Sequence, residues 1–121
     1  MYELKIRDNF SAAHNLRNYK GKCEHLHGHN YSVIVSFVSK KADKNGMVID
    51  FIFLKDILKK VLDKLDHKYL NKDVDFFKSN NPSAENIAKY IFKSLKKLIG
   101  YPKIKDVCVY ETENSMVIYS E

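Results

Sequence analysis

His27-Gly28-His29-Asn30-Tyr31-Ser32-Val33-Ile34-Val35-Ser36-Phe37-Val38 is the stretch on which the fold turns. From Asn30 it alternates: Tyr31, Val33, Val35 and Phe37 share one face, and Ser32, Ile34, Ser36 and Val38 the other. A period of two, filled with β-branched and aromatic residues, predicts a strand. The stretch opens with two histidines one residue apart, and residues two apart on a strand project from the same face. One run therefore predicts both a strand and a pair of neighbouring imidazoles.

Upstream, residues 2–10 set Tyr2, Leu4 and Ile6 against Glu3, Lys5 and Arg7, which predicts a first, half-buried strand. Residues 15–26 are polar and irregular and predict a long loop. Downstream, Asp43-Lys44-Asn45-Gly46 predicts a turn through its Asn-Gly step, with Met47-Val48-Ile49 as a short extension beyond it. From Phe51 the period lengthens. Leu54, Ile57, Leu58, Val61, Leu62 and Leu65 form one helical stripe that Asp50 can cap. Residues 71–82 predict a polar connection. Ser83 can cap a second helix with the stripe Ile87, Ala88, Ile91, Phe92, Leu95 and Leu98, which Gly100 and Pro102 stop. Two strands, about 104–111 and 115–120, follow around a turn at Glu113-Asn114. This order predicts an α+β fold: two helices over one face of an antiparallel sheet, whose other face meets water or another subunit.

At 121 residues, 45% of them hydrophobic, the chain predicts a single domain over 1–121 with a real core. No apolar run approaches the roughly 20 residues needed to span a bilayer. Met1-Tyr2-Glu3-Leu4-Lys5 lacks the pattern of a secretory leader, so a cytoplasmic location with reduced Cys23 and Cys108 is expected. Lys and Arg outnumber Asp and Glu by 21 to 15, a net +6. Most lysines fall at 55–72 and 89–105, interleaved with apolar residues as on an ordinary solvated helix face. Charge alone does not separate nucleic acid from an anionic small molecule or a plain basic surface.

The chemistry concentrates near the first loop. His14 ends the first strand, where it can lie opposite His27 and His29 across an antiparallel pair. Three neutral imidazoles converging on one point suit Zn²⁺ and leave its fourth position open, as in catalytic sites. The plainer alternative is three unrelated polar residues beside a loop. Cys23 can be a fourth ligand, an inert thiol, or an exposed thiolate favoured by Lys20 and Lys22. Cys108, in an alternating strand, reads as a small core residue. Asp66-His67 fits either a solvated helix end or a carboxylate orienting a proton-carrying imidazole. Glu111, where a strand enters a turn beside Thr112, can bind the amidine-like edge of a guanine-type heterocycle.

Several runs together resemble the 6-pyruvoyltetrahydropterin synthase family, which includes the bacterial 6-carboxytetrahydropterin synthases of the queuosine pathway. They are Phe10-Ser11-Ala12-Ala13-His14, Cys23-x-x-x-His27-Gly28-His29-Asn30, Gly46-Met47-Val48-Ile49-Asp50-Phe51 and Leu65-Asp66-His67-x-x-Leu70-Asn71. Asn81-Pro82-Ser83-Ala84-Glu85-Asn86 and Val109-Tyr110-Glu111-Thr112 continue the likeness to the end of the chain. The resemblance implies the tunnelling fold: a four-stranded antiparallel sheet (ββααββ) with two helices on one face. It also implies a homohexamer, a dimer of barrel-forming trimers with sites between subunits.

Carried over, the resemblance makes His14, His27 and His29 the ligands of a Zn²⁺ cofactor and Cys23 the catalytic thiol. Asp66 and His67 become the proton relay and Glu111 the anchor of a pterin ring, with Thr112, Ser83 and Glu85 near the pterin pocket. The implied substrate is 7,8-dihydroneopterin triphosphate, with no nucleic-acid or membrane partner. The implied reaction is a lyase reaction giving 6-carboxytetrahydropterin, acetaldehyde and triphosphate. Two other products stay open: 6-pyruvoyltetrahydropterin, or 6-hydroxymethyldihydropterin for folate synthesis. The last resembles a subgroup in which a glutamate placed like Glu24 shares or replaces the role of the cysteine. A carboxylate at Glu24 would also raise the thiol pKa, opposing the lysines. Outside enzymes, a structural zinc closed by Cys23 or a basic RNA-binding module are the alternatives, the latter with steeply salt-dependent affinity.

Overall fold

Strands β1 (Tyr2–His14) and β2 (His27–Ser39) pair antiparallel along their whole length, from Tyr2 opposite Ser39 to His14 opposite His27. This computed structural model describes residues 1–121. After β2 come helix α1 (Phe51–Leu62), a two-residue strand β3 (Lys68–Tyr69), and the short helices α2 (Leu70–Asp73) and α3 (Asp75–Ser79). Helix α4 (Ala84–Leu98) and strands β4 (Lys103–Thr112) and β5 (Ser115–Tyr119) complete the chain. The sheet order is β3-β1-β2-β4-β5, with β4 antiparallel to both its neighbours.

Alternation sorts the sheet into two faces. Ile6, Phe10, Tyr31, Val33, Val35, Phe37, Val107 and Val109 are buried under the helices. Each such side chain withdrawn from water contributes on the order of 1.5–3 kcal/mol, which sets the register firmly, since a one-residue slip would expose them all. Both long helices begin as expected. The Asp50 carboxylate accepts the Ile52 N–H at 2.8 Å, and the Ser83 hydroxyl accepts the Asn86 N–H at 3.2 Å. Their stripes join the sheet in one cluster of 25 buried residues, except that Leu98, expected in the α4 stripe, is exposed and Ile99, just past the helix end, is buried instead. No helix is long and apolar enough to cross a membrane.

The structure departs from the sequence expectation at several points. The sheet has five strands rather than four, because Lys68–Tyr69 runs parallel to β1 opposite Ala12 and Ala13. His67, at φ 59°, turns the chain into that bridge. Two residues are too few to show any period. Residues 71–82 are not a plain polar connection: α2 and α3 lie at 70–79, and Leu70, Val74 and Phe77 are buried at steps of four and three. That is a helical stripe diluted by charged neighbours. Met47-Val48-Ile49 forms no strand extension, because the Asp43 carboxylate accepts the N–H groups of Asn45 and Met47 and closes a turn there. Cys108 is buried but lies outside the main core, on the opposite sheet face, with its thiol 3.6 Å from the Met116 sulfur. Cys23 is half-buried rather than exposed.

Candidate active site

Register builds the histidine cluster. His14 and His27 are a cross-strand pair, and His29 follows one pleat along β2 on the same helix-facing side as Tyr31. The three rings lie 4.5–5.0 Å apart, centre to centre, and stand edge to face. Their ligating nitrogens all fall within 4.8 Å of one another.

Hydrogen bonds decide which nitrogens face inward. His14 Nδ1 lies 2.7 Å from the Pro82 carbonyl oxygen, and His27 Nδ1 lies 2.7 Å from that of His25. A carbonyl can only accept, so both Nδ1 atoms carry their protons and both Nε2 atoms are bare lone pairs. Those lone pairs face each other at 3.0 Å, a repulsive approach for two neutral rings unless a cation lies between them. His29 Nε2 is buried with no hydrogen-bond partner. Burial, above all, lowers the pKa of His14 and His29, and neighbouring imidazoles add to it, which keeps the rings in the neutral form that a metal requires. Carbonyl partners on the outer ring nitrogens are the usual support of a ligating histidine. The donor set and its orientation therefore fit a Zn²⁺ ion held by three imidazoles.

Glu111 belongs to the same neighbourhood. It continues the core face of β4 past Val107 and Val109, and its carboxylate lies 3.8 Å from His29 Nε2. A cleft of about 210 Å³ beside it is walled by Leu16, Ser83, Glu85 and Met116. The Ser83 hydroxyl there is already engaged in capping α4. Thr112 lines no part of this cleft: it is exposed, and its hydroxyl accepts the Asn114 N–H at 3.2 Å, holding the β4–β5 turn.

Asp66 and His67 lie elsewhere in the chain. Helix α1 ends at Leu62, and the pair follows it in a run of turns. The Asp66 carboxylate accepts the Ser11 N–H at 2.9 Å and lies 3.0 Å from His67 Nδ1, while the His67 N–H donates to the Ser11 carbonyl at 2.6 Å. These partners, the Ser11 N–H first, hold the Asp66 pKa below the ordinary carboxylate range. The His67 ring is 84% exposed and borders a shallow hollow of about 450 Å³, lined in part by Ala12, Gly28 and His29 and by Ser11, Ala13 and Asn30, the last three with side chains on the outer sheet face. One chain thus brings Glu111, Ser83 and Glu85 together near the imidazoles and leaves Asp66–His67 on the other side of the sheet.

Cys23 and Glu24 sit in a single 3₁₀ turn (Lys22–Glu24) of the loop between β1 and β2. Cys23 turns partly inward, whereas Glu24 is exposed and lies 3.6 Å from His25 Nε2. Sequence reasoning missed Pro82, whose carbonyl orients His14 across 68 positions. A backbone group carries no residue-type signal.

Fold and site together describe an α+β chain with a tripod of imidazoles at one end of its sheet and a carboxylate beside it. The chain belongs to the family described as 6-pyruvoyl tetrahydropterin synthase, whose family model matches residues 3–121. Among solved structures it resembles the Caenorhabditis elegans 6-pyruvoyl tetrahydropterin synthase, with TM-score 0.92 and 35% identity, covering 99% of this chain and 95% of that one. It is 33% identical to the 6-carboxy-5,6,7,8-tetrahydropterin synthase of Rickettsia felis, over 97% of this chain and 99% of the relative. It also resembles a Plasmodium vivax 6-pyruvoyltetrahydropterin synthase in which a catalytic glutamate is replaced by cysteine. That likeness has TM-score 0.73 and 25% identity, covering 99% of this chain and 97% of that one.

Proposed function

We propose that this chain is a zinc-dependent 6-carboxy-5,6,7,8-tetrahydropterin synthase. It would convert 7,8-dihydroneopterin triphosphate and one water to 6-carboxytetrahydropterin, acetaldehyde and triphosphate. The observation that carries the reading is the convergence of three imidazoles beside the Glu111 carboxylate, two of them, His14 and His27, turning unprotonated Nε2 atoms inward. His14, His27 and His29 would hold the ion. When bound, zinc supplies Lewis-acid polarisation of the oxygens on the substrate side chain.

The remaining steps belong to the protein. Glu111 accepts two N–H bonds from the amidine edge of the pterin and fixes the ring, so that its side chain reaches the imidazole end of the cleft. Ser83 and Glu85 border the same cleft. Cys23, as thiolate, removes a proton beside the ring. Asp66 keeps a proton on His67 Nδ1, leaving Nε2 free to take or return another. Because His67 opens on the outer sheet face, it would serve the site of a neighbouring copy, which requires a homo-oligomer. A dimer of trimers satisfies this. The positive surplus of the chain favours encounter with a polyanionic substrate.

The presence of Glu24 beside Cys23 supports a second reading, in which a carboxylate does the proton transfer and the product is 6-hydroxymethyldihydropterin. The outward position of Glu24 against His25, and the inward position of Cys23, favour the thiol. Incubating zinc-loaded protein with 7,8-dihydroneopterin triphosphate and weighing the products distinguishes the readings. 6-Carboxytetrahydropterin with acetaldehyde is expected. 6-Hydroxymethyldihydropterin or 6-pyruvoyltetrahydropterin would replace this reading by the corresponding alternative, and unchanged substrate would remove all three.

A further inference from the structure

The loop that carries Cys23 leaves β1 at His14 and joins β2 at His27, and a segment so long and polar needs anchors to hold one shape. Inside the loop these are few. The Leu16 N–H donates to the Cys23 carbonyl at 2.7 Å, and the Glu24 and His25 N–H groups close the short turn. The other anchors come from outside, and two are asparagine amides used like peptide groups.

Asn71 accepts the Asn15 N–H at 3.0 Å and donates to the Asn15 carbonyl at 2.8 Å. Asn81 accepts the Arg17 N–H at 2.9 Å and donates to the Arg17 carbonyl at 3.4 Å. Residues 15 and 17 are two apart, so both present their peptide edges to the same side, and two side-chain amides stand in for a missing strand. Leu16, between them, turns its N–H the opposite way, to Cys23. The Arg17 guanidinium closes the same joint by donating to the carbonyls of Phe77, Asn71 and Asn80. The Asn81 carbonyl accepts from the Asn86 side chain at 2.8 Å, and the next carbonyl, that of Pro82, orients His14. One short segment thus fixes the direction of an imidazole and the path of the loop bearing the thiol.

We propose that Asn71 and Asn81 are positioning residues which, through Leu16, set the place of the Cys23 thiol relative to the imidazole cluster. This rests on the thiol role assigned above to Cys23. Aspartate keeps the acceptor at either position but deletes the donor and turns an anion toward a carbonyl oxygen, so Asn81→Asp opens one end of the joint and Asn71→Asp the other.

The experiment uses zinc-loaded protein carrying Cys108→Ala, so that iodoacetamide reports Cys23 alone, well below the thermal transition. Releasing the loop should raise the alkylation rate at least about fivefold, since each lost side-chain bond is worth a several-fold change in local opening. Turnover of 7,8-dihydroneopterin triphosphate should fall about 10- to 100-fold in kcat with KM within about twofold, as for a displaced reacting group. If one variant fails to fold, the other decides. A lower Tm with an unchanged alkylation rate means a purely structural role and overturns the proposal. Faster alkylation with undiminished kcat overturns it as well. If the parent protein itself does not turn over the pterin but alkylation still rises in the variants, the placement of the loop stands and the proposed function falls.

Discussion

Asp66→Asn removes a charge while keeping the shape, and its consequences for activity and for stability separate cleanly. The carboxylate makes two contacts, the Ser11 N–H at 2.9 Å and His67 Nδ1 at 3.0 Å. The amide oxygen can still accept from Ser11, so the amide nitrogen then faces Nδ1 and, being only a donor, favours the tautomer with its proton on Nε2. An imidazole in the wrong tautomer cannot accept a proton at its free end, and kcat should fall by about 10²–10⁴. The stability loss is small. A charged hydrogen bond exceeds a neutral one by about 1 kcal/mol, and solvent screening at this partly exposed carboxylate reduces that to about 0.5 kcal/mol.

The pH dependence of that increment has a fixed sign. The folded pKa of Asp66 lies below its unfolded value, so the increment is fully present above the unfolded pKa near 4. It is lost as pH falls through the lower, folded value. Urea midpoints from pH 7 to pH 3 should therefore converge between parent and variant at the acid end, and steady-state kinetics at neutral pH should show the loss in kcat. Undiminished kcat in Asp66→Asn would refute the relay. A stability gap that widens toward acid would refute the charge argument.

Cys23→Ala should abolish carboxytetrahydropterin formation while leaving bound zinc intact; loss of metal, read by elemental analysis, would make the thiol a ligand instead. Glu24→Ala should leave that product unchanged and remove any 6-hydroxymethyldihydropterin, as weighed by mass spectrometry; an altered main product would move the carboxylate into the reaction. Phe77→Ala should destabilise by about 3–5 kcal/mol in urea unfolding, because the ring is fully buried against Phe76 and Tyr90. A loss under about 1 kcal/mol would mean that α3 is no part of the core.

What could be read from the sequence followed from periodicity. The faces of β1, β2 and β4, the stripes of α1 and α4, and both helix caps rest on side chains whose spacing is visible in one dimension. The imidazole cluster was legible too, because His27 and His29 share a strand face and His14 ends the strand before it. Features set by tertiary geometry were hidden. Leu70, Val74 and Phe77 sit among lysines and aspartates that mask their spacing, and the β3 bridge depends on a left-handed turn at His67. The Pro82 carbonyl and the paired amides of Asn71 and Asn81 act over more than 50 positions, through groups whose partners no local pattern announces. Cys108 alternates correctly, but period two does not say which of two faces a helix will cover.

X-ray absorption at the zinc edge, on protein loaded to saturation, examines the ion and its neighbours at once. One zinc per chain is expected, with three nitrogen scatterers at about 2.0–2.1 Å, a light-atom solvent ligand, and no sulfur. Zinc content collapsing in His29→Ala would agree. A sulfur at about 2.3 Å would mean a closed, structural site, and a chain that takes up no zinc would leave three bare imidazoles with no chemistry to perform.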